Sequence, residues 1–277
     1  MFAHLPGMFS TDVMMGMAQA AGAVALTLAV ILLCRWFAVN VERETAISLV
    51  RGLAQMIFVG MILAVLLHGS VLIGILILLA MTFAAAVTAA RRAHGIKNAL
   101  PLCFYAIGAG GGLVITGMLG SGALSPNIAI LVPVGSMIIA NAMNACAQAI
   151  ERFTADVTAH VGQIEAGLAL GAEPTVTVAP YVQSAVYASL LPRLDMLKSL
   201  GLVWIPGVMA GMMVSGASPI YAGIYQFVIV AMILSASGIA GLLVTLLIRT
   251  RTFSTAAQLT LRRGQTANPN LAPAVSR

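Results

Sequence analysis

Along this chain, long uncharged apolar blocks alternate with short polar joints. Val13 to Cys34 is one block without Asp, Glu, Lys or Arg, and Gly52 to Ala90, Asn98 to Ile150 and Ser199 to Ile248 are three more. A helix that crosses a bilayer needs about 20 mostly apolar residues. The first block is one crossing, and each of the others is long enough to cross, turn and cross back. The pattern predicts seven spans, near 14–34, 47–67, 71–90, 99–119, 128–150, 190–214 and 222–248. Turn-forming residues mark the internal joints: His68-Gly69-Ser70, the stretch GSGALSPN from Gly120 to Asn127, and SGASP at 215–219.

A second pattern occupies residues 151–190, which are too polar to span. Ile150, Phe153, Val157, Val161, Ile164 and Leu168 recur at steps of three and four, the apolar stripe of an amphipathic helix, with Arg152, Asp156, His160 and Gln163 opposite. Gly171 is placed to end that helix in a left-handed turn, and Pro174 to open the next, because its missing N–H costs nothing in a first turn. The stretch GQIEAGLALGAEP therefore reads as helix, sharp turn and restart. Its Ala166, Gly167, Gly171 and Ala172 would let another backbone approach, with Glu165 offering one charge. A docking surface and an ordinary surface hairpin both fit. The whole reads as one all-α polytopic membrane domain, residues 1–253, with a disordered tail at 254–277.

Composition agrees with the pattern. Of 277 residues, 60% are hydrophobic and 8% charged, far from the roughly one quarter charged of soluble domains. Charge then sets the orientation, because cytoplasmic loops hold the excess of Lys and Arg. With the N-terminus outside and the C-terminus cytoplasmic, all 14 basic residues fall in cytoplasmic segments or at cytoplasmic span ends. These are Arg35, Arg43, Arg51, Arg91, Arg92, Lys97, Arg152, Arg193, Lys198, Arg249, Arg251, Arg262, Arg263 and Arg277. The net charge of +6 thus reports topology, and without basic clusters interleaved with aromatics nucleic acid is not an expected partner. The N-terminal stretch lacks a basic n-region, so the first span reads as retained. Cys34, Cys103 and Cys146 stand apart, at neither metal nor redox spacing, and read as buried thiols. His4, His68, His94 and His160 lie in separate segments, so the metal ligands, if any, stay unknown.

Several polar or irregular positions are candidates for transport. The sixth span gathers Pro192, Gly201, Pro206, Gly207, Gly211 and Gly216, and broken helices at membrane depth are tolerated only where protein or a water-filled cavity receives the freed carbonyls. It reads as a moving or pathway-lining helix, or as a close-packing one through its Gly207 and Gly211 pair. Asp195 and Lys198 share a face, as a neutralising pair or as a cation site. Met137, Asn141, Asn144 and Gln148 form a polar stripe on the fifth span, facing a dimer interface or offering oxygens to a cation. Met209, Met212 and Met213 read as packing residues in a chain with 16 Met.

The ordered motifs carry a resemblance. Glu165-Ala166 with Gly171, and Leu191-Pro192 beyond, resemble the loop by which ATP-binding-cassette (ABC) permeases engage their ATPase, with Gly167 in the place of an Ala. More closely, Leu168, Leu170, Gly171, Ala172 and Pro174, then Leu190, Leu191, Pro192, Asp195, Lys198, Gly201, Leu202 and Val203, then Pro206, Gly207, Met209 and Gly211 resemble the FetB-type permease family. It includes bacterial iron-export subunits and plant half-size permeases linked to aluminium tolerance. Gln183 and Tyr187 stand where that family usually carries Arg. The resemblance implies a homodimeric subunit in the plasma membrane, the inner membrane of a bacterium, exporting a metal cation such as iron. It makes residues 151–190 the coupling segment, with Glu165, Ala166, Gly167, Leu170, Gly171 and Ala172 meeting a cytoplasmic ABC ATPase. Asn141, Asn144, Gln148, Asp195, Lys198, Pro206, Gly207, Met209 and Gly211 become pathway candidates. No Gly-x-x-x-x-Gly-Lys-Ser/Thr loop is present, so ATP and Mg belong to the partner and no cofactor is expected on this chain. An ion-coupled secondary transporter using Asp195 and a non-transporting membrane scaffold are the rival readings. No nucleophile with a matched base points to an enzyme.

Overall fold

The computed structural model describes residues 11–37, 42–66, 70–93, 95–96, 98–254 and 258–261. His4, His68, Gly69, His94, Lys97, Arg262, Arg263 and Arg277 lie outside them. The described residues are helical apart from turns and two isolated bridges, and they fall into two units, Met1–Leu67 and His68–Arg277.

The first unit holds α1 (Thr11–Trp36) and α2 (Glu42–Leu66), joined across their connection by an Arg35–Glu42 ion pair of 3.1 Å. The second holds α3 (Val71–Ala90), α4 (Ala99–Gly120), α5 (Ile128–Ala159), α6 (Val161–Ala169), α7 (Pro174–Thr177), α8 (Ala179–Ser199), α9 (Gly207–Val214) and α10 (Pro219–Arg249). Among the described residues, α1, α3, α4, α5 and α10 are long and apolar enough to cross a membrane, and α2 carries a shorter apolar stretch, Thr45–Met61.

In the second unit α5 and α10 are central. They pack on each other and on α4 and α8, with α3 against α4 and α5. Small residues set the spacing. At Gly110 on α4 an added methyl would stand 2.7 Å from the Ala236 carbonyl oxygen of α10, so the two backbones touch where no side chain intervenes. The first N–H groups of a helix have no intrahelical partner and need one from elsewhere. Asn127 caps α5 by accepting from the Ala129 N–H at 2.9 Å, and Ser218 caps α10 by accepting from the Tyr221 N–H at 3.3 Å.

Two elements differ from the expected spans. The fifth continues to Ala159 rather than stopping near residue 150, because Phe153 and Val157 carry its buried stripe onward without interruption. The sixth, expected over 190–214, is two helices parted by residues 200–206, and α8 begins earlier, with Pro180 in its first turn. Within the expected tail, Leu259 and Leu261 are buried and the Thr260 N–H returns to the Thr252 carbonyl at 2.8 Å.

Candidate functional site

The bend predicted in GQIEAGLALGAEP is present, and local chemistry builds it. Gly171 adopts φ +87°, a left-handed conformation that costs other residues roughly 1–2 kcal/mol. There its N–H reaches the Leu168 carbonyl at 3.0 Å, and the Ala172 N–H reaches the Gly167 carbonyl at 3.0 Å, closing the end of α6. Pro174 opens α7. Glu165, Ala166, Leu170, Gly171 and Ala172 are exposed, Leu170 at 89%, a high value for so large an apolar side chain. Gly167 is used differently from expectation. It faces inward, where an added methyl would meet the Thr177 methyl at 3.0 Å, so its small size lets α7 lie on α6.

Polar contacts brace the bend against the bundle. The Asp156 carboxylate accepts from the Ser184 hydroxyl at 2.9 Å and from Arg152 Nε at 3.1 Å, joining α5 to α8. Above it Tyr181 stacks on His160 with centroids 5.1 Å apart and donates to Gln163 Oε1 at 3.3 Å. His160 sits at the joint of α5 and α6, its Nδ1 2.8 Å from the Asp156 carbonyl. Arg92, just past α3, pairs with Glu151 at 2.7 Å. The Arg92–Glu151 pair is exposed, and such pairs are worth about 0–1 kcal/mol, so it orients the helices more than it stabilises them.

Deeper along the same seam lies the polar stripe of α5, and it is largely engaged already. The Asn141 amide donates to the Met137 carbonyl of its own helix at 2.9 Å, Asn144 is exposed, and Gln148 Oε1 accepts from Arg193 Nη1 at 3.2 Å. Arg193 is the residue the sequence reading missed as a site. It comes from α8, is 6% exposed, and donates from Nη2 to the Asn141 carbonyl at 3.2 Å, while its Nε is buried without a partner. Among the described residues the ion pairs are Arg35–Glu42, Arg92–Glu151, Arg152–Asp156 and Lys198–Asp195, so no carboxylate answers this guanidinium. Asp195 and Lys198, 3.5 Å apart, point away from it, both well exposed on the outer face of α8. The stripe and the acid are therefore not brought together.

Beyond the seam, the break before α9 satisfies its own backbone. The Ser199 carbonyl accepts from the N–H groups of Leu202, Val203 and Trp204 at 3.0–3.2 Å. Pro206 is buried, Met209 is half-buried, and Gly207 and Gly211 are exposed, an added methyl on either glycine meeting nothing within 4 Å. Among the described residues the glycine pair thus meets no neighbouring helix closely. Cys103 and Cys146, read as isolated, are both fully buried and neighbour each other where α4 meets α5. A cavity of about 450 Å³ between α3 and α4 is apolar. Its Thr82 and Thr116 hydroxyls are spent on the Leu78 and Gly112 carbonyls of their own helices. Among the described residues no three His, Cys, Asp or Glu gather as a metal site.

Known proteins share this chain's sequence over most of its length. The model of Uncharacterised protein family (UPF0014) matches residues 4–253. The probable iron export permease protein FetB of Escherichia coli (strain K12) is 28% identical over 86% of this chain and 92% of its own. The UPF0014 membrane protein STAR2 of Oryza sativa subsp. japonica is 28% identical over 92% of this chain and 89% of its own. Protein ALUMINUM SENSITIVE 3 of Arabidopsis thaliana is 27% identical over 88% and 90%. No solved structure matches.

Proposed function

The chain belongs to the UPF0014 family of multi-pass membrane permeases, and from that premise we propose that it is the membrane subunit of an ABC exporter. It works as a homodimer, takes its energy from a separate cytoplasmic ATPase, and moves a metal cation such as iron, the cargo named for the E. coli relative. The N-terminus lies outside and the C-terminus inside, with α8 and α9 together making the sixth of seven crossings. The one observation that carries the coupling role is the exposed bend at Glu165–Ala172. It is capped rigidly at Gly171, offers Leu170 to a partner, and joins the bundle through α5 and α8. ATP-driven closure of the ATPase pair presses on this bend, and α8 carries the displacement to the break before α9.

A secondary transporter built on Asp195 is less well supported, because that carboxylate is exposed and already paired with Lys198. The test of the coupling role is Gly171→Val, assayed in the complex with the ATPase. The left-handed backbone makes the change unfavourable by about 1–2 kcal/mol locally, while no neighbour crowds the site. Membrane insertion should be unchanged, and stimulated ATP hydrolysis and metal export should fall together. Full coupling in that variant refutes the role given to the bend.

A further inference from the structure

Arg193 poses the sharpest physical question in the molecule. A guanidinium taken out of water without a carboxylate carries a heavy desolvation penalty, and two hydrogen bonds to neutral oxygens offset only part of it. Here those oxygens are Gln148 Oε1 and the Asn141 carbonyl, and Nε has nothing. The carboxylates of α5 and α8 are committed elsewhere, Glu151 to Arg92, Asp156 to Arg152 and Ser184, and Asp195 to Lys198.

The same charge has a second effect. A permanent cation hydrogen-bonded to Gln148 repels a bare divalent cation from the carbonyl oxygens of the α5 stripe, and at low dielectric this repulsion is large. Those oxygens are moreover occupied, since Gln148 Oε1 and the Asn141 carbonyl both accept from Arg193. The seam between α5 and α8 is therefore poorly made for a naked metal ion. It is well made for a planar oxyanion, because a guanidinium matches the two oxygens of a carboxylate or phosphate edge to edge.

We infer that Arg193 is the seat of an oxyanion on the cargo, a carboxylate or phosphate, so that metal passes this seam within an anionic chelate and not as a free cation. The inference rests on the export reading for its cargo, but not for its chemistry. When the oxyanion arrives it replaces Gln148 as the partner of the guanidinium, and Nε gains the acceptor it lacks.

The test uses the full-length chain in lipid nanodiscs, titrated calorimetrically with citrate, ferric citrate, inorganic phosphate and ferrous chloride. Wild type should bind citrate or phosphate, and ferric citrate should compete for the same site while ferrous chloride does not. Arg193→Gln should weaken oxyanion binding by about tenfold or more, the loss expected of one charged hydrogen-bond pair, while Arg193→Lys retains a substantial part of it. Gln148→Met, which leaves the guanidinium in place, should bind at least as well as wild type. A wild-type chain that binds no oxyanion overturns the inference even if Arg193→Gln fails to fold. So does oxyanion binding that survives in Arg193→Gln, or that is seen only after lipid is stripped away, since the seat would then belong to a lipid headgroup. ATPase stimulation by the wild-type chain, measured separately, reports on the export reading, so the two can fail independently.

Discussion

Single residues in this molecule do opposite jobs with the same side chain. Gly167 and Gly171 lie four positions apart, yet one is small so that α7 can lie on α6, and the other is glycine because its backbone is left-handed. Their bulky variants should therefore separate. Gly167→Leu should lower the melting temperature by pushing Thr177 away, whereas Ala166→Leu, on the exposed side, should leave melting unchanged and weaken co-purification of the ATPase. Thermal unfolding and pull-down on the same preparations check both. The turn itself was legible in the sequence because Gly and Pro act through their own backbone. Arg193 was not, since a lone Arg in LPRLDMLKS reads as one more cytoplasmic charge until α5 is seen to wrap it. The thiol contact between Cys103 and Cys146 was hidden for a related reason, as a helix crossing brings together residues that no spacing rule connects.

At the level of elements, apolar blocks located α1, α3, α4, α5 and α10, with the ends of α3 and α4 within a residue, but not the C-terminal end of α5. Residues 150–159 read as the start of a separate amphipathic helix, lying on the membrane or packed on the protein, because Arg152 and Asp156 alternate with Phe153 and Val157. In the fold the polar pair turns to Ser184 of α8, and the helix never stops. Asp156→Ala removes that joint and should cost on the order of 1–3 kcal/mol. If α8 transmits movement from the bend, ATPase stimulation should fall further than stability does, which paired measurements of both would reveal. The crossing of α4 and α10 is held by contact rather than by polar bonds. Gly110→Val would force a side chain against the Ala236 carbonyl and should destabilise by about 1–3 kcal/mol, read as a lower melting temperature in detergent.

For the whole molecule, the distribution of basic residues makes a claim that chemistry in intact cells can check. Single cysteines placed at Gly122 or Ser125, in a cysteine-free background, should react with a membrane-impermeant maleimide added outside. Cysteines at Gln163 or Ala172 should react only after the membrane is opened. Labelling of Ala172 from outside would turn the bend away from any cytoplasmic motor. The helix that joins these two regions is α5, 32 residues or about 48 Å at 1.5 Å per residue, with Pro133 near its first turns. A rod of that length works as a lever: pivoted about its mid-point, a nudge of a few ångströms at Ala159 swings Ile128 by a like amount the other way. Moving together with α8, which packs along it, such a beam would close one mouth of the bundle as it widens the other.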